Sequence, residues 1–130
     1  MKNINNEYEI GKGEVANYIA AMDKRCEEYR EEIRIYENSY SEETNLGESF
    51  NYYEALKFVR TWDIIKNDLD AVSRNLVIAM QASDMNYIKC LEWFNGAGQS
   101  IKNTATLRVM VCNARKKIRI IYEQKYGVEE

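Results

Sequence analysis

From Val15 to Tyr40 the apolar residues fall at Val15, Ile19, Met22, Cys26, Tyr29, Ile33, Tyr36 and Tyr40, in alternating steps of four and three. That spacing is the seam of a helix laid along another helix; a strand would show a period of two. A second run repeats it through Ala55, Phe58, Trp62, Ile65, Leu69, Val72 and Leu76. The chain contains no proline, so the strongest helix breaker is absent from both runs. Three tyrosines and a cysteine make the first seam less apolar than a leucine zipper. A hairpin of two helices within one chain therefore fits better than a self-sufficient coiled coil.

The residues between and after the seams place the remaining elements. The segment Ser39–Ser49 holds Gly47, Asn45 and several hydroxyls, which are turn formers. The spacing thus predicts helices over 14–38 and 50–69, antiparallel across this loop. Asp70 or Ser73 is placed to cap a new helix. Ser83-Asp84 reads as the start of a helix over Met85–Asn95, and Gly96-Ala97-Gly98 as its end. Asn103 or Thr104 then caps a last helix that runs to Tyr126 and stops at Gly127, with Leu107, Met110, Val111, Ala114, Ile118 and Ile121 on its buried face. The expected fold is all-α: a long antiparallel helical hairpin over 14–82, preceded by a flexible tail over 1–13. A helix-turn-helix-like unit over 83–130 follows it, and the two pack as one domain.

Several functions are not expected. The chain has no histidine, so histidine zinc sites and histidine-based catalytic dyads and triads cannot form. Cys26, Cys90 and Cys112 form no C-x-x-C pair and read as free thiols of a cytoplasmic protein. Cys112, near Arg108 and Arg115, is the most exposed to chemistry, but a small inert residue is the simpler reading. No apolar run is long enough to span a membrane, and MKNINNEYEI carries no signal-like stretch. The turn Gly96-Ala97-Gly98-Gln99-Ser100 lacks the spacing and the Lys-Ser/Thr pair of a phosphate loop. The carboxylates of 27–54 lie mostly at outward heptad positions, and nothing gathers two in a cleft. No enzyme activity, cofactor or metal is expected.

Charge is divided unevenly. Residues 1–70 carry nine Lys and Arg against sixteen Asp and Glu, whereas residues 71–130 carry nine against five. Within 101–119 stand Lys102, Arg108, Arg115, Lys116, Lys117 and Arg119 with no acid among them. A run of this kind is either a solvated helix face or an anion-binding surface. Thr104, Arg108, Arg115 and Arg119 recur at helical spacing, with Lys116 beside them. A stripe of this kind, set opposite an apolar face, is what docking into the major groove requires: basic heads take phosphates and small polar residues reach base edges. The ten tyrosines fall partly on the seam, where packing is the default role; Tyr52 and Tyr53 are adjacent, so one of them faces out.

The segment 106–119, TLRVMVCNARKKIR, resembles the recognition helix in the C-terminal helix-turn-helix domain of bacterial sigma factors. The likeness rests on Thr106-Leu107 and on Ala114-Arg115-Lys116-Lys117. The stretch YIKCLEWFNG, from Tyr87 to Gly96, is similar to the helix that precedes it and its turn glycine. Small phage-encoded transcription regulators share this design. The resemblance implies a DNA-binding transcription regulator that uses Thr104, Arg108, Arg115, Lys116 and Arg119 on duplex DNA, or on a nucleoprotein complex. One alternative is a small helical inhibitor, anti-CRISPR-like, that meets a host protein through the acidic N-terminal hairpin. Another is a DNA-packaging or assembly subunit. A homodimer is compatible with each.

Overall fold

The computed structural model describes residues 13–38 and 50–128. The expected loop Ser39–Ser49, and the expected tail apart from Gly13, lie outside the described residues. Within them five α-helices follow one another: α1 (Glu14–Glu37), α2 (Tyr52–Asp63), α3 (Ala71–Ala82), α4 (Tyr87–Gly96) and α5 (Thr104–Tyr126). Among the described residues there is no strand. Among these residues no helix is long and apolar enough to cross a membrane.

Each helix after α1 begins on a side chain that takes one of the free N–H groups of its first turn. Asn51 accepts from Glu54, Asp70 from Ser73, Asn86 from Lys89 and Asn103 from Thr106, at 2.8–3.1 Å. Asp70 and Asn103 are caps the sequence points to. Ser83-Asp84 is not the start of α4, which begins four residues after Ser83. Ser83 is buried; its hydroxyl donates to the Met80 carbonyl and accepts from the Asn86 N–H, so it ties the turn instead. Asp84 and Met85 complete that turn with positive φ angles of 58° and 62°.

The second helix does not run on to Leu76. It closes with one π turn, Ile64–Asp68, in which the Leu69 N–H donates to the Ile64 carbonyl at 2.9 Å. Leu69 and Asp70 are extended, and α3 starts afresh. Val72, the next position of the seam, is consequently 40% exposed.

α1 and α2 run in opposite directions: Tyr36 stacks on Tyr52 at 4.5 Å between centroids, Tyr29 meets Phe58 edge-on, and the Trp62 indole N–H donates to Asp23 at 2.8 Å. Ile33, Trp62 and Ile65 are buried on this seam, whereas Met22, Tyr29 and Phe58, which share its spacing, are only partly covered. α3 is the deepest helix because it packs against both α1 and α5. Asn75 through Met80 are buried without interruption, as suits a helix covered on more than one side. Phe94, Met80, Leu107 and Val111 are fully enclosed, and all five helices contribute to a single apolar cluster. Asn75 sits inside it at 2% exposure with neither amide atom hydrogen-bonded among the described residues.

Candidate nucleic-acid interface

α5 is 23 residues long, about 35 Å at 1.5 Å per residue. Leu107, Val111 and Ala114 anchor it, with Met110 and Ile118 packed at the edge of the core. Lys117 fixes its middle to the start of α3 by reaching Asp70 and the Ser73 hydroxyl at 3.2 Å. Lys125 reaches Asp68 at 2.6 Å and Arg60 covers the Tyr126 ring, so the C-terminal end is held as well. Burial raises the Asp70 carboxyl, but the N–H and hydroxyl of Ser73 and the Lys117 ammonium outweigh it and hold the group below the usual carboxylate range.

Arg108, Arg115, Lys116 and Arg119 are all exposed, and among the described residues none of them pairs with a carboxylate. Thr104, expected on the same exposed stripe, is half-buried in the first turn. The stripe is not opposite the apolar face. Arg108 and Arg115 stand one turn on either side of the buried Val111, so they flank the core, Arg108 reaching α4 and Arg115 the turn before it. The Arg108 guanidinium lies 4.8 Å from the centre of the Tyr87 ring, and Arg115 Nη2 is 3.3 Å from Met85 Sδ. A π face and a thioether orient a guanidinium without neutralising it. Lys116 alone of the four points directly away from the core.

The outermost face of α5 therefore carries residues that the charge pattern passed over. Thr106, Val109, Cys112 and Asn113 are exposed beside Lys116, with Val109 60% accessible. Thr106 and Asn113 offer hydrogen-bonding groups of the kind that read base edges, and Val109 an apolar surface. Only a clear view of which residues α4 covers identifies this face; the signal in the sequence was the absence of a core role for residues 106, 109 and 113.

The turn before α5 is fastened from within. The Asn95 amide accepts from Ile101 N–H at 2.9 Å and donates to the Ile101 carbonyl at 3.3 Å, and Gly98 takes a φ of 95°. That closure is a helix-to-helix connection. Of the three thiols, Cys90 is buried and pushed up to about 12, Cys26 is raised by burial, and Cys112 is exposed. No group of His, Cys, Asp or Glu among the described residues is arranged to hold a metal ion.

Comparison with known proteins returns no match: no family model fits the sequence, and neither a curated protein nor a solved structure aligns with it.

Proposed function

We propose that this protein is a DNA-binding regulator that lays α5 on duplex DNA, with α4 and the 97–103 connection completing a helix-turn-helix-like unit. The observation that carries the reading is the row Arg108, Arg115, Lys116 and Arg119: four exposed cations on one helix with no carboxylate partner among the described residues. Arg108 to Arg119 spans about 16 Å at 1.5 Å per residue, a length matched to successive phosphates along a groove. Arg108 and Arg115 are held in place by Tyr87 and Met85, which lowers the entropy lost on contact. Thr106 and Asn113 supply the base-edge contacts in this reading, and the sigma-like segment 106–119 supports it.

Each phosphate neutralised adds about −0.9 to the slope of log K against log salt. Mobility shift with duplex DNA at low and moderate salt is the test. Arg115→Glu with Arg119→Glu abolishes the shift and leaves the helical signal intact. Wild-type protein that fails to shift DNA even at low salt ends the reading.

A second reading has its own observation. Glu27 and Glu28 are exposed on α1 without a cation partner among the described residues, and Glu32 lies beside them. This acidic face suits a basic surface of a host protein or nucleoprotein complex. Reversing Glu27, Glu31 and Glu32 to Lys destroys activity on this reading, while the α5 double variant leaves it unchanged. A host pull-down with nuclease, run on both variants, separates the two.

A further inference from the structure

Where α1, α2, α3 and α5 meet, a cleft of about 480 Å³ opens to the surface. Its walls are apolar: Tyr18 and Met22 from α1, Phe58 from α2 and Ile118 from α5. Trp62, Ile65 and Val77 form its floor, and all three are buried residues of the core. Ligand pockets fall between about 300 and 1,000 Å³ and combine apolar walls with a few convergent polar groups. Here the polar groups are Lys57, Thr61, Gln81 and Arg115. Past Thr61 and Ile118 the cleft continues into a hollow of about 360 Å³ where Arg119 and Tyr122 stand.

Beside Lys57, two arginines at this mouth meet no carboxylate among the described residues. Arg115 carries five N–H donors and, among the described residues, bonds to the Met85 thioether alone, a weak acceptor. Arg119 is in no ion pair among the described residues. Glu54 and Glu123 stand on the same rim and bond to neither arginine. An apolar slot that ends at two uncommitted guanidinium groups complements a molecule with an apolar body and an anionic head, since a carboxylate takes two parallel N–H bonds from one arginine. The size of the slot decides between a small molecule and a partner helix. A helix about 10 Å across would fill 480 Å³ in about one turn, so the slot admits a flexible chain or a ring.

The geometry points to a binding site for an anionic amphiphile, an aliphatic or aromatic carboxylate, with its apolar body over Trp62 and its head between Arg115 and Arg119. The site is separate from the outer face of α5, but it shares both arginines with the basic row. Occupancy therefore withdraws two cations from a phosphate backbone, a consequence that rests on the DNA-binding reading; direct binding does not.

The test is a titration of the full chain carrying Trp93→Phe, so that Trp62 is the sole indole. Decanoate is the probe and 1-decanol its neutral counterpart, followed by fluorescence and calorimetry without DNA. Decanoate binds saturably at one site, at least tenfold more tightly than decanol. Arg115→Gln with Arg119→Gln brings decanoate down to the decanol level and leaves decanol unchanged. Thr61→Phe, which fills the slot, removes the binding of both. No saturation below about 1 mM, equal affinity for the two probes, or indifference to the arginine change overturns the assignment. So does a dimer, by light scattering, that Thr61→Phe dissociates, because a second copy then covers the slot. Since no DNA is present, this outcome stands apart from that of the mobility shift.

Discussion

The α1–α2 pair and α5 are both long, charged and amphipathic, but their charges are used differently. On the pair, opposite charges are consumed locally: Arg30 meets Asp63, Asp23 meets Lys66, and Glu31 meets Arg34. On α5, only Lys117 and Lys125 are spent on the fold, and both go to the acidic stretch between α2 and α3. The other four cations of the basic row are exposed without acids among the described residues. Charge density alone is therefore a poor guide to a working surface, because exposed pairs contribute little to stability and attract little. What marks α5 is that its leftover charges are all of one sign from Arg108 to Arg119, whereas the unpaired Glu27 and Glu28 of α1 stand beside Lys24 and Arg25 in the chain. The hairpin's aromatic seam shows the inverse: Trp62 is buried and bonded to Asp23, yet it also floors an open cleft.

The sharpest way to break this contrast is at the seam. Trp62→Ala should cost about 3–5 kcal/mol in a urea titration, as for other buried tryptophans. A loss under about 1 kcal/mol would mean that the seam is finished by a partner and not by the fold. Next in size, the Arg115→Glu, Arg119→Glu pair should weaken duplex binding at least a hundredfold, about 2.7 kcal/mol, while the melting temperature holds. An equal loss from reversing Glu27, Glu31 and Glu32 would erase the distinction between the two regions.

Asp70 sharpens it further, since it joins them: it caps α3 and holds Lys117. Asp70→Ala should cost about 1 kcal/mol near neutral pH. Because the folded carboxyl titrates below its ordinary value of about 4, its contribution is full above that value and fades as pH falls through the folded one. The wild-type advantage over Asp70→Ala should therefore shrink in acid and persist at alkaline pH. The smallest effect belongs to Arg30 and Asp63. A double-mutant cycle should return about 0.2–1 kcal/mol, shrinking further in salt; a larger coupling would show that the hairpin's pairs matter more to the fold than their exposure allows.

What the sequence disclosed follows from what each residue needs locally. α1 and α5 were legible nearly to their ends, because an unbroken three-four rhythm needs no neighbour to be recognised and Gly127 stops the last helix at a φ of 88°. Asn103 and Asp70 were legible as caps for the same reason: the bond they accept lies three residues away. Ser83 misled because a buried serine that ties a turn looks, in sequence, like one that opens a helix. The depth of α3 was not legible either. Its run Leu76–Met80 has no polar face to give a period, and only the placement of α1 and α5 around it explains the burial. The exposure of Arg108, Arg115, Lys116 and Arg119 followed from their spacing, but the seating of two of them on Tyr87 and Met85 depends on where α4 lands. The cleft lies among residues from four helices, far apart along the chain, and no local pattern could announce it.

The π turn at Ile64–Asp68 is also a matter of chain length. Its hydrogen bond spans five residues in place of four, and the chain then leaves the helix through extended Leu69 and Asp70, so α3 takes a direction of its own. Ile64 and Ile65, neighbours in the chain, both go inward there. The turn also sets Asp68 and Asp70 where Lys125 and Lys117 can reach them. In evolutionary terms this stretch tolerates a length change poorly: losing a single codon such as that of Asn67 breaks the three-four count from Ala55 to Leu76, and in the same stroke swings away the two acids that hold α5 in place.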